Sequence, residues 1–329
     1  MLLTRKSGCK ITTFLSFHKI FSELFVILHL EMSKQALSIL IPTYNQVCVE
    51  LVSQLQAQAV ALGIIFEIIV ADDASPDKAS IKANEAINAI PHCTFIPRST
   101  NVGSAANRNY LASVSQHPWL LFLDCDITIP HPQFLYTYYI YMEEHTGVIN
   151  GGIAVASMPE MSHNLRYRYE KAAEPAHTAA LRQRNRYQSF RSTNFMIRRE
   201  VFAQCPFDER FTKSGYEDVL FGKHLKQHHI PMVHIDNPVL MNTFESNADY
   251  IAKTERQLRT LYEFRNDLRG YSRLLTFIQG IHIPAILWLL HLWHLMFGAI
   301  ERRNLCGFRP QLSLFRLYRL GYFLSLLKH

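Results

Sequence analysis

Four short apolar runs, each closing on a turn-forming or acidic residue and separated by segments of helical periodicity, constrain this chain more than any other feature. Leu37 to Ile41 stops at Pro42, Phe66 to Ala71 stops at Asp72-Asp73, Cys93 to Ile96 is shorter, and Trp119 to Leu123 stops at Asp124. Continuous runs of this length, rich in β-branched and aromatic residues, read as strands buried on both faces. Residues 46–62, 77–90 and Ser104 to Ser115 lie between or beside them and carry apolar positions at helical spacing. The alternation predicts an α/β fold with a doubly wound, mostly parallel sheet flanked by helices. Ligands of such sheets bind beyond the carboxyl ends of the strands. The acids of this chain gather at those ends.

Beyond residue 150 the pattern loosens. Phe195 to Ile197 reads as a short strand, Val219 to Gln227 as a helix, and residues 251–269 as a helix of mixed charge. Leu274 to Ile300 then runs 27 residues without Asp, Glu, Lys or Arg. It is long enough to span a bilayer, for which about 20 residues are needed. Gln279, Gly280, His282, Pro284, His291 and His294 interrupt it, so a re-entrant or interfacial pair of helices broken at Pro284 fits equally well. Leu312 to His329 sets Arg316, Arg319 and Lys328 among Leu, Phe and Tyr. That pattern suits a basic amphipathic helix on an anionic membrane surface. The alternative is an apolar helix packed on the domain or on a second subunit.

Charge follows the same division. The 329 residues carry a net charge of +7, and residues 251–329 hold twelve Lys/Arg against four Asp/Glu, so the first 250 are close to neutral. A basic tail points to lipid or nucleic acid. The hydrophobicity of this tail favours lipid, and no nucleic-acid partner is expected. The six cysteines are scattered, with no C-x-x-C pair. They read as reduced thiols in a cytoplasm rather than as a zinc site or a disulfide framework. Before residue 32, Arg5, Lys6 and Lys10 precede an apolar run, as in a secretion signal. Lys19 and Glu23 interrupt that run and would be costly in an anchor. A third reading starts the protein at Met32. The expected organisation is an extension over 1–31, a catalytic domain over 36–250 and a helical, membrane-associated extension over 251–329.

The chemistry-bearing residues are modest one at a time. Asp124-Cys125-Asp126 puts two acids directly after a buried strand, where hard divalent cations such as Mg²⁺ or Mn²⁺ find carboxylate oxygens. Taken alone, it is also a common loop pattern. Asp72-Asp73-Ala74-Ser75-Pro76-Asp77 can bind a base or ribose, and it is equally good turn chemistry. Arg108 sits about one turn into the helix opened by Gly103, where a guanidinium can meet phosphate. Glu217 and Asp218 open a helix, as capping acids do, or supply a general base.

Taken in order, Ile39-Leu40-Ile41-Pro42-Thr43-Tyr44-Asn45, Asp72-Asp73-Ala74-Ser75, Asn101-Val102-Gly103 to Arg108-Asn109, Asp124-Cys125-Asp126, Asn194-Phe195-Met196 with Arg198-Arg199-Glu200, and Tyr216-Glu217-Asp218 resemble the family 2 glycosyltransferases over about residues 36–240. The resemblance implies a GT-A fold and inverting transfer of a sugar from a nucleotide-diphosphate donor. It assigns Pro42, Tyr44, Asp72, Asp73, Arg108 and Asp124 to nucleotide-sugar binding, and Asp124 and Asp126 to a divalent metal. Asp218 becomes the catalytic base and Glu217 its orienting neighbour. With the basic, apolar tail and the reduced cysteines, the expected acceptor is a glycan or a lipid-linked glycan, and the expected place is the cytoplasmic side of a membrane. Two departures stand out. Relatives often have Gly where Ala74 stands, and many have a His shortly after an Asn-Pro-Val segment, whereas Asn237-Pro238-Val239 leads into Leu240-Met241-Asn242. His234 is a substitute for that His or a structural residue. Among other classes, a sugar nucleotidyltransferase would need a Gly-rich basic loop where Pro42-Thr43-Tyr44-Asn45 stands. A nicotinamide enzyme would need G-x-G-x-x-G there. A catalytically inactive nucleotide-sugar-binding or scaffold protein in a glycan-assembly complex is the remaining alternative.

Overall fold

The computed structural model describes residues 35–142, 147–213 and 215–327. The expected extension over 1–31, the start at Met32 and Lys328 lie outside the described residues.

Seven strands form the main sheet: β1 (Leu37–Thr43), β2 (Phe66–Asp72), β3 (Cys93–Pro97), β4 (Trp119–Leu123), β6 (Val148–Asn150), β8 (Asn194–Arg198) and β9 (Met232–His234), in the order β3-β2-β1-β4-β8-β6-β9. β3, β2, β1 and β4 are parallel. β8 runs antiparallel to both β4 and β6. The sheet is therefore mostly parallel, as expected, with one reversed strand that short segments after residue 150 did not disclose. A second sheet joins β5 (Ile127–Thr128), β10 (Val239–Met241) and β7 (Ile153–Val155) in the order β5-β10-β7.

β1 is central, so both its faces are covered. Ile39 and Ile41 enter one core with Leu55, Val70 and Leu121, whereas Leu40 enters the other with Ile69, Leu120, Phe122 and Phe195. This two-sided burial is why the run reads as continuously apolar rather than alternating. On one side lies α1 (Val49–Leu62), which buries Leu51, Val52, Leu55 and Ala59 as a single stripe. It ends where Gly63, at φ +65°, returns its N–H to Val60, a left-handed cap open to glycine at little cost. α2 (Lys78–Asn84) follows, capped by Asp77, and α3 (Ser104–Val114) covers the other side. Register aligns the acid-bearing ends: Leu37 pairs with Phe66 and with Trp119, and Thr43 pairs with Asp72. Short helices α4 (Phe134–Tyr139), α5 (Leu165–Ala173), α6 (Ala179–Arg184) and α7 (Arg199–Gln204) precede α8 (Glu217–Gln227).

The C-terminal helices are α9 (Asn247–Glu263), α10 (Arg273–Gln279), α11 (Pro284–Cys306) and α12 (Leu312–Leu326). The division expected at residue 250 falls inside α9. Leu258, Leu261, Leu275 and Phe323 also share the core of the sheet. Leu165, Tyr250, Ile251, Leu305, Phe315 and Tyr318 form a third cluster that ties α5, α9, α11 and α12 together. Pro284 begins α11, as its fixed φ and missing N–H favour. Among the described residues, α11 is the helix long and apolar enough to cross a membrane, and only 17% of its most apolar window is buried. Ile286, Trp288, Leu289, Leu295, Met296 and Ile300 stand exposed along it. On α12, Arg316 is exposed, but Arg319 turns inward to the tyrosines of α5 and α9. The expectation that Arg319 faces lipid is therefore corrected: α12 spends it on the interior. The described cysteines are all free, and burial raises the Cys48 thiol to about 11.

Candidate active site

A cleft of about 1170 Å³ opens beyond the carboxyl ends of β1, β2 and β4 and continues toward α5, α8 and α12. Pro42, Tyr44, Asp73, Arg108, Asp124, Asp126, Glu217 and Asp218 all line it. Asp72 does not. Its carboxylate accepts the Ser75 N–H at 2.8 Å and the Ser75 hydroxyl, and the residue is 1% exposed. Expected to bind the nucleotide, it instead uses both its oxygens in this structure to hold the turn that follows β2. In that turn Ala74 has φ +56°. This conformation costs an alanine roughly 1 kcal/mol and suits the glycine often found there.

Asp73 borders the cleft, yet its oxygens accept the backbone N–H groups of Val102 at 3.0 Å and Gly103 at 2.9 Å. It ties the β2 turn to the mouth of α3 and does not present a free carboxylate. Gly103 adopts φ +91°, and a Cβ there would lie 2.7 Å from the Thr212 carbonyl oxygen. One turn further, Arg108 donates to Asp124 at 2.5 Å and to the Ser104 hydroxyl. The Arg108 side chain is 4% exposed and that of Asp124 27%. The Arg108 Nε has no partner among the described residues.

Asp126 is exposed in the cleft, with enough protein around it to weigh on its charge. Burial raises its carboxyl above the usual range, Asp124 adds to the rise, and Arg166 and Lys253 oppose it. Among the described residues no three His, Cys, Asp or Glu side chains cluster as a ready metal site. Two neighbouring carboxylates whose repulsion a cation would relieve do suit Mg²⁺ or Mn²⁺. Such ions take one or two protein carboxylates and fill the rest with water and substrate phosphate.

At the opposite end, Gly215 (φ +121°) and Tyr216 (φ +69°) form a left-handed turn before α8. A strained backbone of this kind marks functional sites. Glu217 is 9% exposed and accepts the Gly215 N–H at 2.6 Å. Burial raises its carboxyl, Asp218 raises it further, and Arg108 partly offsets both. Asp218 lies 3.6 Å from Arg191.

Sequence reasoning gave no role in this cleft to several further charged groups that line it, among them Glu170, Arg182, Arg191 and Arg319. Arg182 is a structural knot, bonded to the carbonyls of His177, Asn150, Gly151 and Ile235 and to His234 Nδ1 at 2.8 Å. His234, lowered to about 4 chiefly by burial, is thus held neutral inside this knot. It has the structural role and does not replace the absent histidine. Asn194 is likewise internal, bridging the carbonyls of Gly152 and Asn237.

A mostly parallel sheet with helices on both faces, and acids collected beyond its carboxyl ends, defines the GT-A class. The description of glycosyl transferase family 2 matches residues 38–205, just over half of the chain, and the chain belongs to that family. A protein of Haemophilus influenzae described as an uncharacterized glycosyltransferase is 34% identical over 90 residues. The match spans 27% of this chain and 29% of that relative. The mannosyltransferase PcManGT from Pyrobaculum calidifontis, solved with GDP-Man and Mn²⁺, shares the fold with a TM-score of 0.53 and 12% identity, covering 88% of this chain and 85% of that one. TarS of S. aureus, residues 1–349 with UDP, gives a TM-score of 0.46 and 18% identity, covering 89% and 90%.

Proposed function

We propose that this chain moves a hexose from a nucleotide-diphosphate donor to a hydroxyl of a glycan or lipid-linked acceptor, with inversion at the anomeric carbon. The observation that supports this most is the single cleft shared by Asp124, Asp126 and Asp218. In this reading Pro42 and Tyr44 flank the base, and the loop clamped by Asp73 shapes its pocket. Asp218 takes the proton from the acceptor hydroxyl. The freed oxygen attacks the anomeric carbon from the face opposite the diphosphate. The bond from that carbon to the diphosphate breaks, and its electron pair leaves with the diphosphate. Glu217, tied to the Gly215 N–H, fixes the turn that aims Asp218. Asp124 and Asp126 would hold Mg²⁺ or Mn²⁺, which, when bound, neutralises charge developing on the leaving group. The Mn²⁺ and GDP-Man of the PcManGT complex agree with such a donor and metal.

The reading includes a peripheral seat on the cytoplasmic face of a membrane, in the service of polysaccharide assembly. The exposed apolar residues of α11 would rest on anionic lipid, and Arg303 and Arg316 nearby add charge attraction. Calorimetry with UDP-, GDP- and dTDP-sugars, with and without Mn²⁺, tests the chemistry. One donor should bind in a metal-dependent way, and Asp126→Ala should remove that dependence. A folded protein that binds none of them would favour an inactive scaffold. For the membrane, co-sedimentation with phosphatidylglycerol vesicles should exceed that with phosphatidylcholine and fall when Trp288, Leu295 and Met296 are changed to Ser. Equal sedimentation of the triple variant would remove α11 as the contact.

A further inference from the structure

Around Asp218 the cleft carries charged groups that proton abstraction and a metal-held diphosphate leave without a task. α5 contributes Glu170, α12 contributes Arg319, and the segment before β8 contributes Arg191. Arg166, Arg191 and Arg319 are the cations that act on the Glu170 carboxylate. Among the described residues, none of them closes to ion-pair distance with it, and no hydrogen bond reaches it. Arg166 is already held by Glu245. Arg319 has no carboxylate partner among the described residues either. It donates to the Tyr169 hydroxyl at 3.0 Å, its guanidinium carbon stands 5.8 Å from the Tyr169 ring centre and 5.5 Å from that of Phe315, and its charge also acts on the Tyr216 hydroxyl. Its Nε–H is buried and without a partner among the described residues. The Arg191 side chain keeps 44% exposure and approaches Asp218 at 3.6 Å.

Charged groups lining a cleft are met by water until a ligand takes its place, and they then need matching partners on that ligand. Here one carboxylate and two guanidiniums share a space without closing on one another. An acceptor standing among donors matches a ligand group that both gives and takes hydrogen bonds. A hydroxyl does both. A phosphate or carboxylate only accepts, so it would leave the Glu170 oxygens without a donor and meet their charge. We propose that Glu170, Arg191 and Arg319 form a subsite that grips neighbouring hydroxyls of a sugar ring and so selects the sugar the enzyme uses. The inference rests on the glycosyl-transfer reading and deepens it. Glu170 accepts from two adjacent hydroxyls, while Arg191 and Arg319 donate to their oxygens. A ring that lacks or inverts one hydroxyl leaves a desolvated charge unmatched, which is an effective way to reject an analogue. The ring belongs to the donor or to the acceptor, since Asp218 stands where the two meet.

The test uses the full chain with Glu170→Gln, Glu170→Ala, Arg319→Lys and Tyr216→Phe. Three calorimetric probes are titrated: the nucleoside diphosphate alone, the matching nucleotide sugar, and methyl hexosides added to protein loaded with the nucleoside diphosphate. Affinity for the nucleoside diphosphate should stay within about two-fold in every variant. Glu170→Ala should weaken one of the other two probes by about ten-fold or more. Loss of the nucleotide sugar marks the ring as the donor's, and loss of a methyl hexoside marks it as the acceptor's. Arg319→Lys, which keeps charge but not the planar fork, should lose less, and Tyr216→Phe should lose little. Glu170→Gln keeps the side-chain size, so it serves if the alanine variant melts early. Unchanged sugar affinity on both arms would overturn the proposal. So would Tyr216→Phe reproducing the loss in Arg319→Lys, because Arg319 would then act only through Tyr216. Inorganic phosphate binding that tightens in Glu170→Gln would equally overturn it and make the cluster an anion site. A wild-type protein that binds no nucleoside diphosphate fails at the transfer reading itself, so the two failures are distinguishable.

Discussion

The two ends of the cleft are built differently. At the β1–β2–β4 end the charges are matched within the protein: Asp73 on the Val102 and Gly103 amides, Asp72 on Ser75, and Arg108 on Asp124. At the α5–α8–α12 end they are matched more loosely, with the Asp218–Arg191 ion pair at 3.6 Å and Arg319 held only by neutral groups. Removing an acid from the first end should therefore unmake structure. Removing one from the second should unmake chemistry. The first end is held by its own hydrogen bonds, and under our proposal the second is completed by its ligand.

The largest effect expected from this contrast is at Asp218. Asp218→Asn should lower kcat by about 10³-fold, while unfolding free energy moves by less than about 0.5 kcal/mol. A fall in stability comparable to that of Asp73→Ala would break the comparison. That second variant strips the acceptor from two backbone N–H groups at a nearly buried position and should cost about 3 kcal/mol in denaturant unfolding. The smallest effect concerns pH. The Glu217 carboxyl titrates above its ordinary value in the folded protein, first through burial and then through Asp218. Below the ordinary value both states are protonated and nothing is lost. As pH rises past it the unfolded chain ionises first, so stability falls until the raised folded value is passed. Glu217→Gln should flatten that part of the stability profile measured by thermal melts. A wild-type profile rising over the same interval would show that the site tolerates the charge.

Most of the sheet was legible because β1 to β4 are covered on both faces, and a doubly buried strand writes itself as an uninterrupted apolar run. β5, β6, β7, β9 and β10 span two or three residues each, too few for any periodicity to show. The reversal of β8 depends on the connection before it, not on its own residues. In the site, Asp124, Asp126 and Asp218 were legible from their place after a strand or at the head of a helix. Asp72 and Asp73 could not be told apart, since neighbouring acids after a strand differ only in what their side chains meet. Glu170 and Arg191 carried no local signal at all, and the one Arg319 carried, a basic helix face, pointed away from the cleft. Arg319 meets Tyr169, 150 positions away, and only folding brings such groups together.

The hairpin of α11 and α12 turns an apolar flank outward and sends Phe315 and Arg319 into the cleft wall. Its two faces are therefore inherited together. A recombination event that exchanged this hairpin between relatives would alter the outer surface and the shape of the pocket in one step. Point changes on the exposed flank would alter the first alone. Descendants of such a gene can diversify by two routes of very different reach, and the swap is the one that changes outer surface and pocket together.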